Sequence, residues 1–419
     1  MKKAFCKIIS SVLISLLLIL ALPTIVPIWA RAADTVKIGD LNPYSGPFEF
    51  IGRTYRLTID FAVEEQNAKG GLLGRKIEII SEDTEFKPDT AVRKAKELIL
   101  NRKVNFISSA SGSHIAIALS KVATQYKTIG MNYGYGHPVP KDEFTRYYFR
   151  TNLNPYNCAS ALAQLMAKKP YRNFYIICQD YAYGHASAEA FKEQLRTYLP
   201  NAKIVGEDFH PVAIKDFGPY INKIIAAKAD CIYSSNFGVD GQTLVKQARD
   251  LGLKVPFPIA MISVNPIDLN VLKDDAVGIH HVYSYMLRVN TPENQQMIAK
   301  WHQKHKNDKD FENWWPWTHQ GAAVLSWKFL FAAVEKAGSL DPEKIIDAFE
   351  GFRWKSPVGW WEMRKSDHQV LMPMFGGIIQ GGNNPYYNGS IRPDVKFPWD
   401  GPDILHLSAN ATASPPFGF

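Results

Sequence analysis

From residue 35 onward, short apolar runs alternate with segments whose apolar residues recur every three or four positions. VKIGDL, KIEIISED, VNFISSA and TIGMNYG are runs of the first kind, and each fits a buried strand bounded by turn residues. Residues 55–69 are of the second kind, with Leu57, Phe61, Ala62 and Ala68 on one helical face and charges between them. Helices are likewise expected over 91–101 and 115–126. The rhythm restarts after Asn154-Pro155, where helices over 158–168, 186–199, 217–227 and 241–251 alternate with the strands NFYIICQD, AKIVGEDF, ADCIYSS and VPFPIAMI. Such alternation requires a parallel sheet covered on both faces, and two series in succession predict an α/β protein of two lobes. Ligands of these sheets sit beyond the carboxyl ends of the strands. The loops of interest are therefore 108–114, 132–137, 179–184, 234–240 and 260–265. Two long helices follow over 292–305 and 318–337, then strands joined by a polar turn in SPVGWWEMRKSDHQVLMPMFGGIIQ. The tail from Asn383 is rich in Pro, Asn and Gly and is expected to lie extended on the surface or loose.

The front end has a different pattern. MKKAFCK is cationic, IISSVLISLLLILAL is apolar, and Ala30-Arg31-Ala32 fits a small-x-small cleavage site, so residues 1–32 read as a secretory signal peptide. The apolar run is short for a bilayer-spanning helix, which needs roughly 20 such residues. Removing Lys2, Lys3, Lys7 and Arg31 with it halves the formal net charge from +8 to +4. Basic and acidic residues are interspersed in what remains, which argues against a nucleic-acid partner. The mature chain keeps Cys158, Cys178 and Cys231. An odd number cannot all pair within one chain, and two of the three lie in apolar strands, so buried thiols are expected.

Catalytic and metal-binding patterns are sparse. No phosphate loop, dinucleotide fingerprint or nucleophile elbow is present. His302 and His305 are spaced as ligands on one helix, but the lysines around them disfavour a cation, so a solvated face is expected. His280 and His281 point to opposite faces of a strand and cannot easily share one ion. No cofactor, metal or catalytic residue is predicted.

LNPYSGPFEFIGRTYRLTIDFAVEEQNAKGGLLGRKIEIISED carries Ser45-Gly46-Pro47, Gly52, and Asn67, Gly70, Gly71 and Gly74 in the order strand, turn, helix, glycine-rich turn, strand. Asp180-Tyr181-Ala182-Tyr183-Gly184 and KQARDLGL continue the series. In this the chain resembles the periplasmic binding proteins of branched-chain amino acid (leucine-binding protein-like) ABC transporters, over roughly residues 36–380. The resemblance implies a type I periplasmic binding protein fold, two Rossmann-like lobes joined by a three-crossover hinge. Lobe 1 would hold 34–152 plus 286–372, lobe 2 would hold 153–285 plus 373–400, and 401–419 would form a C-terminal tail. The implied function is capture of a small carboxylate, amino acid-like or aromatic, in the periplasm by a monomer that delivers it to an inner-membrane ABC permease. A sensory protein presenting its solute to a membrane receptor is the alternative, and an amidase-type enzyme on the same scaffold is a weaker one.

Family binding positions map onto Ser113, Tyr135, Gly136, Tyr183, Phe237, Met261 and Trp315. Ser113 opens the helix after the third strand, where free N–H groups favour a carboxylate. Two positions depart from the family. Met261 stands where an amino-acid binder places a carboxylate against the ligand's ammonium, and Ile51 replaces a tyrosine. An unpartnered buried ammonium costs several kcal/mol, so an α-amino acid is disfavoured unless Asp240 or Asp268 supplies the charge. ENWWPWTHQG, at 312–321, places three of the chain's ten tryptophans within four residues. The resemblance puts Trp315 in the cleft, where it would complete an aromatic ring with Tyr133, Tyr135, Tyr183 and Phe237.

Overall fold

In the computed structural model, which describes residues 35–134, 143–253, 258–259, 266–310, 313–381, 399–400 and 405–413, the apolar runs pair into two separate sheets. The segment read as a signal peptide lies outside the described residues. No described helix is long and apolar enough to cross a membrane.

The first sheet has the order β2-β1-β3-β4-β5 and is parallel throughout. Its strands are β1 (Val36–Asn42), β2 (Ile77–Asp83), β3 (Phe106–Ser109), β4 (Ile129–Asn132) and β5 (Tyr148–Arg150). Helices α1 (Glu49–Ala68), α2 (Pro88–Leu100) and α3 (Ser113–Tyr126) return the chain between them. Parallel pairing needs such crossovers, and the sheet buried between helices reads as unbroken apolar runs. Val36, Ile38, Leu41, Phe106, Ile107 and Ile129 are at most 1% exposed.

The second sheet continues the pattern with β6 (Asn173–Gln179), β7 (Lys203–His210), β8 (Cys231–Ser234), β9 (Pro258–Ile259) and β10 (His280–Tyr283). Between them run α4 (Pro155–Ala167), ahead of β6, α5 (Ala182–Tyr198), α6 (Gly218–Ala226), α7 (Gly238–Asp250) and α8 (Pro266–Leu272). After β10 come α9 (Pro292–His305), α10 (Thr318–Ala337) and α11 (Pro342–Phe349), then a small antiparallel sheet of β11 (Arg353–Ser356), β12 (Gly359–Met363) and β13 (Val370–Leu371). These elements rejoin the first sheet's helices. Phe61 of α1 lies 5.2 Å from Trp301 of α9, and Glu65 pairs with both Lys300 and Lys328. The chain then returns to the second sheet through β14 (Met374–Gln380), antiparallel to β10.

Of the two states expected of the tail, its described part takes the extended one, and it is paired. β15 (Trp399–Asp400) and β16 (Leu405–Leu407) both pair antiparallel with β14. Beyond them Thr412 O accepts from Asn157 Nδ2 at 2.6 Å, and Ala411 O accepts from Gln164 Nε2 at 2.8 Å. Composition gave no hint of this, because the pairing is backbone to backbone.

The chain therefore crosses between the sheets three times, near residues 150–155, 283–292 and 371–374. The first and third crossings are joined by Arg150, whose amide donates to His368 O at 2.9 Å and whose guanidinium donates to Asp367 O at 2.7 Å. Cys158, Cys178 and Cys231 are buried and form no disulfide, and burial pushes their thiol pKa values upward.

Candidate ligand-binding site

Between the two sheets lies a cavity of about 640 Å³, built almost entirely from helix beginnings and the loops before them. On the first-sheet side stand the start of α1, the start of α3 and the start of α10; on the other stand the starts of α5 and α7, with α8 beside them. The long helices among these, of 14, 20, 17 and 13 residues for α3, α10, α5 and α7, each aim a positive dipole end at the cavity. Convergent helix N-termini form an anion-binding arrangement.

Two glycines allow the helices to approach. A side chain on Gly52 would lie 2.0 Å from Pro43 O, so only glycine lets α1 begin against the β1 loop. A side chain on Gly184 would lie 1.9 Å from Gln179 O, which fixes how α5 leaves β6. Both clashes are with backbone, which cannot swing aside.

Ser113 stands at the first position of α3 behind Gly112, which offers no capping side chain. The amides of Gly112, Ser113 and His114 and the Ser113 hydroxyl find no hydrogen-bond partner among the described residues. These are the orphan donors of a helix start, and Ser113 is 8% exposed. The loop holding them is fixed from below. Asn42 Oδ1 accepts from Ala110 N at 2.8 Å and Ser111 Oγ at 3.2 Å, while Asn42 Nδ2 donates to Asp40. Asp40 is fully buried and also accepts from Tyr133 Oη at 2.8 Å, from Ser108 Oγ at 3.2 Å and from Tyr44 Oη. Burial raises its pKa, and the four donors offset only part of that rise.

The walls are apolar and aromatic. Phe48 stacks on Phe86 at 4.2 Å, and Phe86 meets His114 edge-on at 4.8 Å. Across the cleft Tyr181 lies 6.2 Å from Tyr183 and 6.4 Å from Phe237. The acid that lines the cavity is Asp268, whose Oδ1 accepts from Gln242 Nε2 at 2.7 Å. The lining cation, Arg53, is more than half exposed and sits 3.9 Å from Asp310.

Of the residues the sequence nominated, Ser113, Tyr183 and Phe237 line this cavity. Tyr135, Gly136 and Met261 lie outside the described residues. Trp315 is not among the lining residues; it stacks on His302 at 4.0 Å, with the rings 4° from parallel. The neighbouring tryptophans are structural too. Trp314 Nε1 donates to Asp308 O at 2.8 Å, and Trp317 is buried at the cap of α10. His305 was expected on a solvated face but is 6% exposed and packs 4.6 Å from Trp301. Tyr133 lies beneath the floor rather than in it, edge-on to Tyr55 at 5.6 Å. Asp240 is buried behind the wall, where Oδ2 accepts from Gln179 Nε2 and Ala213 N at 2.6 and 2.9 Å.

Sequence reasoning missed Tyr55, Phe86, Tyr181 and His319 of the lining, and the Asp40–Asn42 support. A signal for the last existed: two polar residues inside the apolar run VKIGDLN, where a strand buried on both faces has no place for them unless they hydrogen-bond.

Comparison with known proteins places these features in context. The family described as periplasmic binding protein matches residues 35–383. A Leu/Ile/Val-binding protein homolog of Brucella melitensis is 26% identical over 82% of this chain and 83% of its own. A leucine-, isoleucine-, valine-, threonine- and alanine-binding protein of Brucella ovis, in its closed conformation, superposes with a TM-score of 0.80 at 22% identity, covering 92% of this chain and 98% of that one. A solute-binding protein of an ABC transporter from Rhodopseudomonas palustris, in complex with 4-hydroxybenzoate, does so with a TM-score of 0.76 at 22% identity, covering 90% and 98%.

Proposed function

The chain belongs to the periplasmic binding protein family, and on that footing we propose that it is the solute-binding component of an ABC uptake transporter, holding a small carboxylate between its two lobes. The observation that carries this reading is the set of partnerless donors at Ser113, on a helix start facing a cavity that four other helix starts also face. An anion placed there would accept from donors that have no partner among the described residues. The aromatic walls suit an apolar or aromatic body attached to that carboxylate. Neighbours of the same fold cover both chemistries, one named for aliphatic amino acids and one holding 4-hydroxybenzoate.

In this reading the lobes comprise 34–152 with 286–372 and 153–285 with 373–400, and ligand contacts from both sides favour the closed arrangement. Residues 1–32 are a cleaved signal peptide, the mature protein is a periplasmic monomer, and its partner is an inner-membrane permease. The protein binds its solute without converting it. Thermal-shift screening of amino acids, aromatic acids and their amides tests the reading, since a ligand bound only by the folded state raises the melting temperature. Stabilisation by carboxylates and not by the matching amides is the expected result. Stabilisation by neither, alongside a strong response to an uncharged or cationic solute, would refute it.

A further inference from the structure

The last described segment of the chain lies beyond the residues that the family match covers, which end at 383. It is nevertheless built into the region where the chain passes between the sheets. β16 pairs with β14 in the register Met374↔Leu407, Phe375↔His406 and Gly376↔Leu405, so it holds the first residues after the third crossing. A few residues on, Ala411 O accepts from Gln164 Nε2 at 2.8 Å, and Thr412 O accepts from Asn157 Nδ2 at 2.6 Å. Both donors stand on α4, the helix that follows the first crossing. Asn157 also closes the capping box at the start of that helix, exchanging hydrogen bonds with Asn154 at 3.0 and 3.2 Å. Thr412 is itself buried. Residues 405–412 therefore join two crossings at their second-sheet ends.

At their first-sheet ends the same two crossings are joined by Arg150, which donates to His368 O and Asp367 O, and by Gln369 Nε2, which donates to Asn152 O. Between the two sets of ties lie Leu153 in the first crossing and, after β13, Met372 and Pro373 in the third. Proline has a fixed φ, which narrows the available rotations further. Resting on the two-lobed closure read above, we propose that residues 405–412 are a hinge clamp, tying the first and third crossings together so that the lobes bend about Leu153 and Met372–Pro373 and keep to a narrow range of opening. None of 405–412 lines the cavity. The clamp acts on binding through the unliganded state, because a hinge that wanders less loses less conformational freedom when a solute closes the lobes. Strand pairing suits this task, since the backbone ladder fixes register and direction along β14 at once.

Pulsed electron paramagnetic resonance on the ligand-free mature protein tests this, with spin labels at Lys121→Cys and Lys246→Cys, exposed positions on α3 and α7 at the two sides of the cleft. Cys158, Cys178 and Cys231 are buried and escape labelling. Ending the chain after residue 404 removes the clamp. The interlobe distance distribution is expected to broaden and to extend to longer distances, while the thermal melt stays cooperative. The pair His406→Pro and Leu407→Pro makes the same test in a chain of full length, since it removes a ladder donor whichever way the strand faces. It keeps the question answerable if the shortened chain does not fold, and the same broadening is expected. A lower melting temperature with an unchanged distance distribution would make the segment a stabiliser of the second lobe alone and overturn the clamp. No ligand enters the measurement, so that outcome leaves the carboxylate reading standing, and failure of the carboxylate reading in the thermal-shift screen leaves this test intact.

Discussion

Ser284 Oγ donates to Asn152 Oδ1 at 3.2 Å, and this one hydrogen bond joins the first chain crossing to the second. Asn152 reaches further. Its Nδ2 donates to Tyr133 O at 3.1 Å, and its own carbonyl accepts from Gln369 Nε2 at 2.7 Å, just before the third crossing. Three segments far apart in sequence meet at one buried amide. Asn152→Ala leaves Ser284 Oγ and Tyr133 O without this partner, at about 1–3 kcal/mol. Thermal melts should show a clear loss for Asn152→Ala and a smaller one for Ser284→Ala, which removes a single bond. Equal losses would show that Asn152 contributes nothing beyond that bond.

Ser113→Ala removes one donor from the helix start and leaves the amides of Gly112, Ser113 and His114 in place. Affinity for a carboxylate ligand should fall about ten- to a hundredfold, the worth of a hydrogen bond to a charged group, without being abolished. Ser113→Asp places a like charge against the ligand and should abolish binding. Calorimetry separates the two outcomes, and an Asp variant that still binds would remove the anion from this position.

Trp315 stacks on His302 outside the cavity, so Trp315→Ala should act on stability and not on recognition. Loss of a partly buried tryptophan at the start of a long helix is expected to lower the denaturation midpoint by about 1–3 kcal/mol in stability. The dissociation constant of any ligand should stay within about twofold. A tenfold loss of affinity in a folded variant would return the residue to the cleft.

Acid should weaken the fold through buried histidines, His319 and His280 foremost, with His305 and His368 shifted in the same direction. Burial holds both His319 and His280 near pKa 4, with Lys169 and His281 adding to the effect at His280 and the Gly278 carbonyl opposing it. Unfolded histidine titrates near 6.5. Between about pH 6.5 and 4 the unfolded chain takes up protons that the folded one refuses, so stability is complete above that window and falls as pH is lowered through it. Each group contributes up to about 1.4 kcal/mol per pH unit there. Urea midpoints across this range should fall less steeply in His280→Gln than in the wild type. Parallel slopes would show that His280 is protonated in the folded state.

The alternation of strands and helices was legible because a parallel sheet buried on both faces admits few polar residues, and α9 and α10 were bounded as observed by their apolar periodicity. The helices of the cleft were read too short. α5 begins at Ala182 where periodicity suggested 186, and α7 begins at Gly238 where it suggested 241. Their first turns are built of glycine, tyrosine and other weak helix formers, which tertiary packing holds in helical form. Those same turns carry Tyr183, Phe237 and Gly238 to the cavity. Ser113, which lines the cavity, was nominated through the family resemblance, as the serine that opens the helix after the third strand. His319 was not, since a histidine one residue into a helix looks the same whether it faces a core, a cavity or water. The tryptophan cluster is ambiguous for a related reason: aromatic density records burial, and burial in a core and burial around a ligand look alike in one dimension.

The three crossings also determine how this protein can be divided. The first sheet's strands are contiguous but α10 covers α1 from some 250 residues downstream, and the second sheet is interrupted, β14 entering beside β10 after an excursion of about 90. A fragment ending at Arg150 carries all of the first sheet's strands but none of the helices that finish its core. Neither lobe is a contiguous gene segment, so the two cannot be exchanged between homologues by a single join. A chimaera that takes one lobe from each parent needs three junctions, all of them meeting around Asn152.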